Sequence, residues 1–196
     1  MFGELTVCRY DCRLKYQSVV SGDCLSASES NMSFDPASIT LRPATTEDDA
    51  FLFQVYAGTR EEEMSLTGWL PVQQKVFLRM QFDLQRNSYA DQFPHADHVI
   101  ILLENEPIGR VMVDRTKADE MRGVDIALLP ESRCRGVGAF LIGRLLDEAT
   151  AAGKPFRIRV EKHNWRGLRL YDRLGFLKTG ESDTHVAMEW LPKSMK

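Results

Sequence analysis

The seven residues from Arg133 to Ala139, R-C-R-G-V-G-A, restrict what this chain can fold into more than any other stretch. A short apolar run, Val124 to Leu129, precedes them and stops at Pro130. A segment from Gly138 to Ala152 follows, with Leu141, Ile142, Leu145, Leu146 and Ala149 at helical spacing. The pattern reads as strand, basic glycine loop and helix start. Two glycines let the backbone turn tightly and approach a ligand. The first amides of the helix, with its dipole, favour an anion at that joint. Arg133 and Arg135 add positive charge. The expected occupant is a pyrophosphate, so strand and helix must pack side by side around it.

Two familiar phosphate sites are excluded by spacing. A dinucleotide fingerprint needs a third glycine three residues after the second, where Leu141 stands. A Walker loop needs Lys-Ser/Thr after its last glycine, and none follows.

At 196 residues the chain is long enough for one domain with a tail. Its net charge of −3 argues against a general nucleic-acid binder, which needs a basic face for phosphates. A tRNA-modifying reading is disfavoured on the same ground. No run of eighteen apolar residues points to a membrane span, and no apolar segment of signal-peptide length stands at the start, so a cytoplasmic protein is expected. Cys8, Cys12, Cys24 and Cys134 have no metal-site spacing and read as free thiols. No metal site is expected.

Along the chain, residues 1–37 carry no sustained periodicity and end in a Ser-rich stretch, so they read as a disordered or poorly attached extension, with Met32 as a second candidate start. Ile39 to Arg42 alternates like a strand. Thr46-Glu47-Asp48-Asp49 reads as a helix start, and the helix runs to about Gly58. Thr59 to Met64 reads as a solvated helical turn or, alternatively, as an acceptor-side segment. Pro71 opens a second helix, with Val72, Val76, Phe77, Met80, Leu84 and Asn87 as its expected buried stripe and Trp69 as a staple. His95 and His98 read as surface histidines. His98 to Glu104 and Ile108 to Asp114 form a hairpin, followed by a polar loop, Arg115 to Gly123. Val124 to Leu129 is expected at the centre of the sheet. Phe156 to Val160 is a further strand, Asn164 to Leu174 a short helix capped by Gly175, and Phe176 to Gly180 and Thr184 to Trp190 a closing antiparallel pair.

Arg133, Gly136 and Gly138 match the R/Q-x-x-G-x-G/A signature of the GNAT superfamily of acyl-CoA N-acyltransferases. Downstream, Asn164 follows the fifth strand, and Tyr171 stands seven residues later, before Leu174-Gly175-Phe176. With these features in this order, the chain resembles that family over residues 38–191. The resemblance implies an α/β (α+β) fold: a mixed, mostly antiparallel sheet of about seven strands flanked by about four helices. Residues 192–196 would be a tail.

The resemblance further implies an N-acetyltransferase using acetyl-CoA as co-substrate, with a small-molecule or peptide amine as acceptor. Backbone groups of Ile126, Ala127 and Leu128 would pair with the pantetheine arm. Arg133, Cys134, Arg135, Gly136, Val137, Gly138 and Ala139 would hold the pyrophosphate, with Cys134 contributing its amide. Asn164 would bond the pantetheine region, and Tyr171 would protonate the leaving thiolate. For the base, Asp125 is the first choice; Asp114, Glu62, Glu161 and a water chain stay open, and Arg159 stands where some relatives have an acid. Glu61, Glu62, Glu63, Asp114 and Asp119 suggest an acidic neighbourhood that would attract a cationic acceptor, with Glu61, Glu62 and Asp114 as the substrate-side candidates. Many such domains pair through their sheets and C-terminal strands, so a homodimer is allowed. The competing reading is a non-catalytic acyl-CoA-binding module.

Overall fold

The computed structural model describes residues 34–195. The expected extension and its Cys8, Cys12 and Cys24 therefore lie almost wholly outside the described residues. The elements in order are β1 (Ile39–Pro43), α1 (Asp49–Thr59), α2 (Glu61–Ser65), α3 (Pro71–Gln92), β2 (Asp97–Leu103), β3 (Glu106–Asp114), β4 (Met121–Leu128), α4 (Val137–Ala152), β5 (Phe156–Glu161), α5 (Trp165–Arg173), β6 (Leu177–Glu181) and β7 (His185–Trp190). The strands form one sheet in the order β1-β2-β3-β4-β5-β7-β6, antiparallel except between β4 and β5. The expected mixed α/β architecture is what forms, with β4 in the centre.

Local sequence explains the turns. Leu103 pairs with Glu106, leaving Glu104 and Asn105 as a two-residue hairpin loop with φ of 52° and 70°. Two positive φ values match the right-handed twist of the flanking strands, and Asn tolerates one of them cheaply. The helical start shifts by one residue from the expected Thr46. Thr45 caps instead, its amide and hydroxyl donating to Asp48, which also pairs with Arg42 at 2.6 Å. The polar loop is shorter than expected at its end: it gives way to β4 at Met121, because Met121 and Arg122 pair with Phe156 and Arg157.

The two faces of the sheet carry separate cores. On one, α4 and α5 pack Leu141, Ile142, Leu145 and Tyr171 against Ile126, Leu128, Val160 and Phe176. On the other, α1 and α3 pack Leu52, Tyr56, Leu78 and Phe82 against Ile100.

The expected stripe of α3 is overturned. Leu78, Phe82 and Tyr89 face inward, whereas Val72, Val76, Met80 and Leu84 face outward. Asn87 is exposed and Phe77 half-buried. The helix has two apolar faces, and the one bearing aromatic rings takes the interior. There Phe82 stacks on Phe53 and Tyr56 with ring centroids 5.8 and 5.6 Å apart, beneath the Arg79 guanidinium. Trp69 does pack edge-on against Phe77, at 5.2 Å.

The decisive feature for function is where the sheet opens. β4 and β5 pair only at Met121↔Phe156 and Arg122↔Arg157. Beyond that point β5 pairs with β7 along its full length and β4 pairs with β3. From Gly123 to Ala127, therefore, the β5-facing edge of β4 has no strand partner among the described residues. A bulge opposite Met112 and Val113 sits where the opening begins, with Val124 as the extra residue.

Candidate active site

At the far end of the opening, β4 runs into the glycine loop. Leu129 leads into a short turn, Pro130–Ser132, and then Cys134 and Gly136 take left-handed φ values of 60° and 91°. Helix α4 begins at Val137, and its first bond is from Phe140 N to Gly136 O, 3.0 Å. The amides of Val137, Gly138 and Ala139 thus have no intrahelical acceptor and project from the helix start. Alternating left-handed residues ahead of a helix create a concavity of N–H groups suited to an anion.

Two loop residues depart from expectation. The Arg133 side chain is buried, and its Nε donates to Leu128 O at 2.9 Å. It braces the end of β4 and gives the loop no exposed charge, because Gly58 and Pro130 crowd together and close over it. Cys134 is disulfide-bonded, which corrects the free-thiol expectation at that position. Arg135 is half-buried.

Across the opening, Asn164 is buried and caps α5, its side-chain oxygen accepting from Gly167 N at 2.9 Å. A Cβ at Gly167 would lie 2.5 Å from the Asn164 amide, so the cap requires glycine there. The cap fixes where α5 starts and hence the position of Tyr171 two turns on. Tyr171 is buried, and its ring meets Phe176 edge-on at 5.1 Å.

On the α3 side, Asp125 stands directly after the bulge and is fully buried. Arg110 of β3, also buried, reaches it at 2.6 Å and holds Gln85 of α3 at 3.0 Å. Burial pushes the Asp125 carboxyl above its ordinary value, and the Arg110 charge offsets part of that rise. Both residues line a cavity of about 150 Å3 with His98, Phe82 and Tyr89. His98 is thus no surface histidine: burial, reinforced by Arg110, pushes its pKa down to about 4.

A second cavity, of about 390 Å3, lies where α2 meets the loop between β5 and α5. Glu62, Glu63, Leu66, Asn164 and Trp165 are among its walls. Arg60 spans its side of the opening, 2.9 Å from Glu63 and 3.8 Å from Glu161 at the end of β5. The acceptor-side turn is therefore helical, as its solvated reading had it, and Glu62 lines a cavity, whereas Glu61 is simply exposed.

Asp114 is not brought to this cluster. It ends β3 opposite Arg122, where β4 and β5 are still paired, and its carboxylate accepts from Thr116 N and Oγ1 at 2.9 and 2.6 Å. There it closes a turn.

Sequence reasoning missed Arg60 and Arg110, and it took His98 for a surface histidine. Arg110 carried a readable signal: a lone cation inside an otherwise apolar strand, Ile108 to Val113, must find a buried anion. Nothing in the spacing indicated Arg60.

The opening thus brings together the amides at the start of α4, an unpaired stretch of the β4 edge, the buried Asp125 on its α3 side and the buried Tyr171 on its α5 side. Residues 63–176 match the family model described as the Acetyltransferase (GNAT) family. The chain belongs to that family and is an acyltransferase. No curated protein sequence matches it. Solved structures do share the fold. PaiA N-acetyltransferase from Thermoplasma acidophilum, in complex with coenzyme A, is 17% identical with a TM-score of 0.60, over 79% of this chain and 99% of that one. Spermidine N-acetyltransferase from Vibrio cholerae, in complex with CoA and spermine, is 18% identical with a TM-score of 0.55, over 79% and 97%. The ribosomal-protein-S18-alanine N-acetyltransferase from Escherichia coli is 15% identical with a TM-score of 0.55, over 78% and 93%. No candidate membrane-spanning helix occurs among the described residues.

Proposed function

We propose that the domain, residues 38–191, transfers the acetyl group of acetyl-CoA to a primary amine on a small molecule or peptide. The observation that carries this reading is the half-open sheet: an unpaired edge of β4 running from the bulge at Val124 to the amides at the start of α4. An extended polar chain ending in a pyrophosphate fits that path. The neighbours solved with coenzyme A support the same carrier.

The carrier supplies an activated thioester. Ile126 and Ala127 offer backbone groups along the edge, while the Leu128 carbonyl is already engaged by Arg133. The amides from Cys134 to Ala139 hold the pyrophosphate. The amine nitrogen attacks the thioester carbonyl, a C–N bond forms and the C–S bond breaks. Asp125 accepts the amine proton, and its raised proton affinity suits a base. Tyr171 gives its proton to the departing thiolate, and Asn164 fixes the helix that presents it. Glu62, in the wall of the larger cavity, faces the arriving ammonium group. The neighbours' names span a polyamine and a protein alanine, so the fold leaves the acceptor open.

The test is calorimetric titration of acetyl-CoA into the protein and into Gly136→Glu, followed by amine-dependent release of free thiol. Gly136 has a φ of 91°, and the substitution places a negative side chain in the cradle. Saturable binding by the wild type that the variant loses is expected. No binding by folded wild-type protein would overturn the reading; binding without any amine-dependent thiol release would reduce it to a non-catalytic binding module.

A further inference from the structure

The exposed large apolar residues of this chain are not scattered. Eleven are exposed among the described residues, and seven fall between Leu66 and Leu84. Leu66, Trp69 and Leu70 form the connection between α2 and α3; Val72, Val76, Met80 and Leu84 run along α3. The four helical residues repeat every fourth position, so they form a single i±4 ridge across the solvent face. Leu66 is 84% exposed and Val76 68%. Monomers rarely leave a contiguous apolar patch of more than a few hundred Å2 in water.

We infer that this face is a dimer interface and that its occupant is the same ridge of a second copy. Three observations select that occupant. First, the ridge is self-complementary. A two-fold axis crossing α3 between Val76 and Met80 sets Val76 against Met80 and Val72 against Leu84 from each side, and two i±4 ridges interlock at about −50°. Second, seven large side chains, most of them more than half exposed, offer several hundred Å2, the scale of the ~800 Å2 per partner in a standard interface. Third, charge does not oppose the approach. Asp83, the acid beside the ridge, is already held by Arg79 at 3.0 Å and Arg86 at 3.3 Å.

The interface would also fix the connection bearing Leu66, which lines the larger cavity. The inference does not depend on the acetyl-transfer reading, and its failure leaves acetyl-CoA binding untouched.

The test is mass by light scattering and by sedimentation equilibrium of the full chain at tens of micromolar, beside Val76→Glu/Met80→Glu. The wild type is expected at twice the chain mass. The variant is expected at the chain mass, with the dimer midpoint raised about a hundredfold or more by four charges forced into an apolar contact. Both positions are exposed, so the circular dichroism spectrum should not change; if the charged variant fails to fold, Val76→Gln/Met80→Gln replaces it. A monomeric wild type overturns the inference. So does a dimer that survives in a folded variant, because another face would then be holding it.

Discussion

Replacing Arg110 with methionine isolates what the buried pair at the opening of the sheet contributes. Arg110 is 4% exposed and Asp125 1%, with 2.6 Å between their charged atoms. Methionine keeps most of the side-chain volume and removes the cation. Asp125 is left charged in the interior, or must take up a proton. Breaking a buried pair from one side typically costs about 3–5 kcal/mol. For a domain of this size each kcal/mol moves the midpoint about 2–4 °C, so a fall of roughly 6–20 °C is expected. Adding Asp125→Asn removes the stranded charge and should recover at least about half of the loss, a coupling that a double-mutant cycle reads directly. The pH dependence carries a second signature. A carboxyl raised by burial stabilises the fold where it is protonated, and that stability is lost as pH rises through its folded pKa. The deficit of Arg110→Met relative to wild type should therefore shrink as pH falls from 7 toward 4. Losing Arg110 also relieves part of the depression of His98, so the variant loses less stability than the wild type as that histidine charges, which narrows the deficit in the same direction. Chemical denaturation of the three proteins at two pH values measures all of this. A single-variant cost under about 1 kcal/mol, or additive effects in the double variant, would refute the reasoning.

Two further outcomes follow from the same geometry. Tyr171→Phe keeps the ring against Phe176 and removes the proton donor, so turnover should fall about a hundredfold or more while acetyl-CoA affinity holds; unchanged turnover would remove Tyr171 from the acid role. His98 has a folded pKa of about 4 against an ordinary 6.5. A depressed base leaves the unfolded chain binding the extra proton, so its effect on stability is lost as pH falls through that window, by about 2 kcal/mol at pH 5. His98→Gln should flatten the fall between pH 7 and pH 5 in urea titrations, and an unaltered slope in the variant would contradict the assignment.

The fold was largely legible because its signals are local. The hairpin at Glu104-Asn105, the alternation of Phe156, Ile158 and Val160, and the stop at Gly153 each depend on a few neighbouring residues. The glycine loop was legible for the same reason. What failed were assignments needing a comparison between distant parts. Both faces of α3 are apolar, and periodicity cannot say which one meets the sheet. The choice is made by the rings of Phe82 and Tyr89 against Phe53, Tyr56 and Met112, contributed by α1 and β3. Arg133 looked like a phosphate ligand because its charge stands beside two glycines. Its inward turn is held by the hydrogen bond from its Nε to the Leu128 carbonyl, five residues back, a contact that only the folded turn after β4 brings about.

The same limit governs the choice of the proposed proton acceptor. From sequence, Asp125, Glu161, Glu62 and Asp114 are four carboxylates near strand or helix ends. The sheet separates them. Asp114 is spent on a turn, on the side where β4 and β5 are still joined. Glu161 lies 3.8 Å from Arg60, so an arriving ammonium group would have to compete with a guanidinium. Glu62 is exposed on α2, in the wall of the larger cavity, and away from the unpaired edge of β4. Asp125 alone among them stands next to the bulge where the opening begins, with burial raising its affinity for a proton and Arg110 keeping it within reach of ionisation. A base must be ionised before the reaction and basic during it, and a buried acid beside one cation meets both demands. The bulge and the lone cation of β3 are thus parts of one device: the extra residue at Val124 turns Asp125 toward the α3 side, and Arg110 makes its burial there tolerable.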